Sequence, residues 1–205
     1  MTARAADIKK GRKFEQVLQG ARDVFMRDGF EGASVDEIAR AAGVSKATLY
    51  SYFPDKRLLF SEVARVECNR QASEALAVID INAPVEAALH SAADRLVRFF
   101  LSDFGQQVYR IGIAESYRFP DLGARFYASG PALLRERLGS VLKVYVARGD
   151  LVIDDLDVAT SQFGDLCKGD MFVRRLCGVC EGVQEADIAR AVDAVVTMFL
   201  ARYRG

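Results

Sequence analysis

The sequence predicts an all-α protein of about nine helices, a three-helix head with a helix-turn-helix followed by a larger helical domain. Three observations carry this. Apolar residues recur at three- and four-residue steps in nearly every segment, while alternation with a period of two is nearly absent. Ser, Gly and Pro fall where helices should start and stop. The composition is globular: 205 residues, 51% apolar and 27% charged, the balance of neither a disordered chain nor a disulfide scaffold.

The first helix covers about 12–28, with Phe14, Val17, Leu18, Ala21 and Phe25 on one face and Gly29 as its stop. Ser34 and Glu37 have the S-x-x-E spacing of a capping box, which opens a second helix ending near Ala42. Gly43 makes the turn, and Ser45 caps a third helix to about Phe53. Pro54 and Asp55 open a fourth through about Val78. Pro84 begins a fifth with Val85, Leu89, Ala92, Leu96 and Phe99 on one stripe. Segments near 104–116 and 120–148 follow, the second with a kink expected at Gly130-Pro131. Asp154 to about Cys177 and Glu185 to about Tyr203 complete the set. The last helix carries two stripes, Ile188, Val192, Val195 and Phe199 beside Ala191, Ala194 and Met198. So wide an apolar face implies burial on two sides, either one against its own subunit and one against a second copy, or both within the monomer.

The formal net charge is zero, but the charge is unevenly placed. Residues 1–13 carry Arg4, Lys9, Lys10, Arg12 and Lys13 against Asp7, a net of +4; residues 14–60 carry −1 and residues 61–205 carry −3. A basic arm (residues 1–11) thus precedes a head ending at residue 60 and an acidic body over 61–205. The arm is either a solvated tail or a DNA contact along phosphates or in a minor groove. No apolar stretch approaches 18 residues, so no membrane span is expected, and the charged N-terminus does not read as a secretory signal. The expected location is the cytoplasm, where Cys68, Cys167, Cys177 and Cys180 stay reduced. One His argues against most metal and general-base chemistry, and the lack of a match to the common nucleophile, dinucleotide, P-loop or zinc motifs removes most of the positive case for an enzyme; no cofactor or metal is expected.

Two short helices over 34–42 and 45–53 with Ala42-Gly43-Val44 between them form a helix-turn-helix, locked by Ile38, Ala39, Val44 and Leu49. The second presents Lys46, Ala47, Thr48, Tyr50, Ser51 and Tyr52, a face with one cation, hydroxyls and phenols but no carboxylate. Such a face suits a major groove lined by phosphates, base acceptors and thymine methyls.

The run from Ser34 to Leu59 resembles the DNA-binding segment of TetR/AcrR-type transcriptional regulators. The shared pattern includes Ile38-Ala39, the Ala42-Gly43-Val44-Ser45 turn, Thr48-Leu49-Tyr50-Ser51-Tyr52-Phe53 and Asp55-Lys56. Ile113 to Leu122, with Phe126-Tyr127 and Gly130-Pro131, is similar to an AefR-like subset. The resemblance implies a homodimer whose heads bind double-stranded operator half-sites. Its larger domain would dimerise through the last two helices and enclose a small-molecule pocket. It implies that Thr48, Tyr50, Tyr52 and Lys56 contact phosphates or thymine methyls, and that Lys46 and Ala47 reach base edges. Ser34, Ser45 and Ser51 complete the expected DNA-facing set.

On the same resemblance, the expected function is a ligand-responsive repressor. The expected pocket lining is Phe100, Phe104, Tyr117, Phe126 and Phe163, which favours a mainly apolar or aromatic effector. Each of these aromatics is otherwise plain core. Arg98, Arg110 and Arg118 either anchor an acid or sit solvated. The expected dimer interface is Phe163, Leu166, Ile188, Val192, Val195 and Phe199. Two other readings stay open: a thiol-responsive regulator using Cys177 and Cys180, a lone C-x-x-C, and a helical binding protein whose helix-turn-helix is only structural. Operator, target genes, effector and the sense of regulation are not legible.

Overall fold

The computed structural model of the chain describes residues 11–77, 79–180 and 182–205. Arg4, Lys9 and Lys10 of the basic arm lie outside the described residues. The described residues form ten helices and no strand, with one isolated antiparallel bridge between Leu151 and Arg204. Two compact units divide at Ala64/Arg65, whereas the sequence reading places the boundary after residue 60.

The first unit holds α1 (Arg12–Gly32), α2 (Val35–Ala41), α3 (Lys46–Tyr52) and the start of α4 (Lys56–Ala77). Phe14, Val17, Ala21, Val24 and Phe25 of α1 are buried, with Ile38, Ala39, Leu49, Phe53, Leu59 and Phe60. Aromatic rings make up much of this small core: Phe14 stacks on Phe53 at 5.4 Å, and Phe25 meets Phe60 edge-on at 5.1 Å. Such pairs add about 0.5–1.5 kcal/mol each beyond their buried area. Gly29 leaves helical conformation at φ 72°, where a stop is predicted, but one more turn follows and ends at Ala33. At Gly20 the closeness of α1 and α2 is decisive, because a Cβ there would lie 2.5 Å from the backbone nitrogen of Ala42. Only glycine permits that approach.

The second unit contains the rest of α4 and α5 (Val85–Leu101), α6 (Asp103–Ala114), α7 (Pro120–Ser129), α8 (Pro131–Arg148), α9 (Leu156–Leu176) and α10 (Glu185–Tyr203). Its core is made by α5, α8, α9 and α10, with Leu89, Ala93, Val97, Leu142, Tyr145, Phe163, Val196 and Phe199 closed from solvent. The segment predicted as one kinked helix over 120–148 is two helices. Gly130 departs from helical geometry (φ −116°, ψ −93°), and Pro131 opens α8 with no N–H to continue the α7 ladder. This division raises the number above the expected nine. The sequence reading did not foresee a break in α9, where Gly169 takes φ 52° and ψ −167°.

Candidate nucleic-acid interface and aromatic cluster

The helix-turn-helix is set by its caps. Ser34 Oγ accepts the Glu37 N–H at 3.1 Å and donates to the Glu37 carboxylate at 2.9 Å. Ser45 Oγ accepts the Thr48 N–H at 3.1 Å, and the Ser45 and Thr48 hydroxyls pair at 2.9 Å. Each cap satisfies an amide that a short helix would otherwise leave bare, worth about 1 kcal/mol apiece. Ser51 Oγ donates to the Thr48 carbonyl at 2.7 Å, keeping its hydroxyl on the helix. Leu49 is buried and anchors α3, while Lys46, Ala47, Tyr50 and Ser51 are exposed. Thr48 and Tyr52 are half-buried, and the Tyr52 ring meets Phe14 edge-on at 5.7 Å.

Two cations have partners inside the head. Lys46 pairs with Asp36 on α2, both side chains being exposed. An exposed pair is worth well under about 1 kcal/mol, so a phosphate or base edge can replace Asp36 at little cost. Lys56 is more committed. Its Nζ donates to the carbonyls of Phe30 (2.8 Å) and Ala33 (3.0 Å) and lies 4.4 Å from the centre of the Phe30 ring. It clamps the start of α4 to the α1–α2 connection, a structural duty the sequence did not show. Arg57 is bound to Asp55 at 2.7 Å. Of the five N-terminal cations, Arg12 and Lys13 are described, both exposed in the first turn of α1.

The second unit separates the predicted pocket residues. Phe100 and Phe126 join one aromatic cluster. In it Tyr109 meets Phe100 at 5.8 Å, Phe126 at 5.1 Å and Phe172 at 4.9 Å, all near-perpendicular. Gly112 on α6 leaves the room that the Phe126 ring fills, since a Cβ there would fall 2.4 Å from Phe126 Cδ2. Lys168 stands 5.8 Å from the Phe100 ring centre and 5.6 Å from that of Tyr109, and donates to Asp165 at 2.8 Å. Burial pulls the Lys168 ammonium down, but its bond to Asp165 and the neighbouring Tyr109 and Asp165 outweigh it and raise its pKa. The Tyr109 phenol is also raised, chiefly by burial.

The other three differ. Phe104 is buried on α6. Phe163 is fully buried against Phe199 at 5.1 Å, within the α5–α8–α9–α10 core. Tyr117 is 98% exposed, so its expected place in a lining is corrected; it lies in the turn between α6 and α7, where no helix covers it. Tyr109, Phe172, Lys168 and Gln106 were missed. Gln106 and Gln107 are adjacent amides on α6, and only the burial of Gln106 sets it apart. Of the three arginines, Arg98 bridges Asp94 and Glu185, Arg110 donates to the Leu176 carbonyl, and Arg118 lies over Phe119.

The expected dimer residues are also corrected. Phe163, Ile188, Val192, Val195 and Phe199 are buried in the chain's own core, and Leu166 packs against it half-buried. The bulkier stripe of α10 turned inward because it removes more apolar area from water. The second stripe faces out: Ala194 and Met198 are exposed, as are Val158 and Val173 on α9. Cys177 caps α9, and Cys180 Sγ donates to the Gly182 carbonyl at 3.0 Å; both are free thiols. Among the described residues no group of three His, Cys, Asp or Glu side chains is placed to hold a metal, and no helix is long and apolar enough to cross a membrane.

A helix-turn-helix with an exposed, carboxylate-free third helix, joined in one chain to a larger helical domain, defines the architecture of a one-component transcriptional regulator. Residues 17–63 match the family described as bacterial regulatory proteins, tetR family, and residues 87–205 match the AefR-like transcriptional repressor C-terminal domain. The chain is 37% identical over 68 residues to the HTH-type transcriptional repressor AcnR of Corynebacterium glutamicum, which covers 33% of this chain and 36% of AcnR. The match thus spans about a third of that relative's length. A TetR-family regulator structure from Mesorhizobium loti superposes with TM-score 0.81 and 29% identity, covering 97% of this chain and all of that one. The flavonoid-responsive regulator FrrA does so with TM-score 0.71 and 35% identity over 95% of this chain and 98% of its own. The chain belongs to the TetR family of bacterial transcriptional regulators, with an AefR-like C-terminal domain.

Proposed function

We propose that the chain is a dimeric, ligand-responsive transcriptional repressor that releases its operator when a mainly aromatic small molecule binds the second unit. The observation that carries this reading is α3. It is capped by Ser45, anchored by Leu49, and shows Lys46, Ala47, Tyr50 and Ser51 to solvent with no acidic residue among them. A helix serving only structure has no reason to display that set. Lys46 supplies the donor for a guanine edge or a phosphate, and Ala47 offers a methyl to thymine. Tyr50, Thr48, Tyr52 and the serines Ser34, Ser45 and Ser51 fix register on the backbone. Lys56 acts in this reading by holding the head together.

The repressor sense is supported by the likeness to AcnR, and the aromatic effector by the likeness to a flavonoid-responsive regulator. The exposed Ala194–Met198 stripe of α10, with the exposed Val158 and Val173 of α9, is the surface assigned to a second copy. Two heads then read half-sites about 34 Å, or a multiple of that, apart. Footprinting of the DNA next to the gene tests the reading. The expected result is protection of a two-fold symmetric site that Tyr50→Ala abolishes. Equal affinity for that DNA and for random duplex refutes it.

A further inference from the structure

Gln106 is the point in the second unit where the chemistry is incomplete. The residue is 5% exposed. Its Nε2 donates to the Phe100 carbonyl at 2.6 Å, whereas its Oε1 is buried with no donor. A buried acceptor left bare costs about 1–3 kcal/mol, which makes its burial informative. Phe100 links this amide to the aromatic cluster, since its carbonyl holds Gln106 and its ring packs on Tyr109 and Phe172. Tyr109 lies one turn along α6 from Gln106. Lys168 closes the cluster with a positive charge already paired to Asp165.

We propose that the effector is a hydroxylated planar aromatic, a phenol, whose O–H donates to Gln106 Oε1 while its rings pack among Phe100, Tyr109 and Phe172. The inference rests on the preceding reading of the second unit as an effector site and adds the effector's polar group. The alternatives fit less well. A carboxylate brings no hydrogen to Oε1 and sets two acceptors face to face. An amine meets the Lys168 charge. A sugar brings many hydroxyls to a place with few polar partners. A bare arene leaves Oε1 unsatisfied, so the site discriminates by the penalty it still carries.

The test is calorimetric titration of the full chain with flavone, the monohydroxyflavones and their methyl ethers, repeated on Gln106→Leu and Gln106→Met. At least one hydroxyflavone is expected to bind about tenfold more tightly than both its ether and flavone, one hydrogen bond's worth. That preference disappears in the variants. The comparison on the unaltered chain stands even where a variant fails to fold. If flavone, phenols and ethers bind alike, the phenol inference is overturned while the effector site remains. If none binds, both fall. If a phenol binds with the expected preference yet leaves operator affinity unchanged, the site and its chemistry hold and the repressor-release reading fails.

Discussion

Lys56→Met separates two duties that one ammonium group can perform. In the head, Nζ holds the Phe30 and Ala33 carbonyls at 2.8 and 3.0 Å and sits over the Phe30 ring. A hydrogen bond to a charged group contributes about 1.5–3 kcal/mol, and a cation over an aromatic face about 0.5–1. Lys56 is only half-buried, so water recovers part of each carbonyl when the group is removed. Met keeps the apolar stem and loses the charge. The net cost expected is about 2 kcal/mol, or roughly a 30-fold rise in amide exchange for the α2 and α3 amides where exchange follows local opening. Hydrogen exchange read by mass spectrometry measures this. A phosphate contact predicts something different: the slope of log affinity against log salt shrinks by about 0.9 per contact, or about 1.8 for two heads. The clamp reasoning requires faster exchange with an unchanged slope. A shallower slope with unaltered exchange refutes it and returns Lys56 to the DNA backbone.

Four further outcomes follow from the packing. Gly20→Ala places a methyl 2.5 Å from the Ala42 nitrogen and 2.7 Å from its Cα; backbone cannot yield as a side chain can, so a loss of about 1–3 kcal/mol is expected in denaturant unfolding, with weaker operator binding. Ala194→Arg on the exposed stripe should shift the protein toward monomer in sedimentation velocity, whereas Val192→Ala, in the core, should cost about 2 kcal/mol of stability and leave association intact. A chromogenic disulfide reagent should titrate two thiols quickly, Cys177 and Cys180, and reach Cys68 and Cys167 only on unfolding. Burial raises both Cys68 and Cys167 from 9.0 to about 12. The unfolded thiols therefore lose their protons first. The stability held by the neutral buried thiols is complete below pH 9.0 and falls as pH rises toward 12, by about 1.4 kcal/mol per thiol per pH unit. The double variant Cys68→Ala/Cys167→Ala should lack that part of the slope.

The head was legible because its determinants are local. Ser34 and Ser45 sit three residues from the amides they cap, and Gly43 and Leu49 lie within the same short span. The second unit was harder. Its helices were readable from their period, but the partner each stripe would choose was not. On α10 both stripes are apolar, and only packing against α5 and α9 sent Val192 and Phe199 inward and left Met198 outside. Tyr117 looked like a lining residue beside Phe119 and Phe126, yet it stands in a turn with no element over it. Tyr109 and Phe172 are 63 residues apart in the chain, and no periodicity announces that their rings meet.

By itself the sequence determined the helices, their caps, the helix-turn-helix and the family, because these depend on groups within a turn or two of one another. Tertiary structure decided which aromatics gather, which apolar stripe remains on the surface, where Gly169 breaks α9, and that Lys56 and Gln106 have the partners they have. Those facts depend on contacts between residues distant in the chain. Burial is a property of the assembled surface, and a residue's own neighbours in sequence do not specify it.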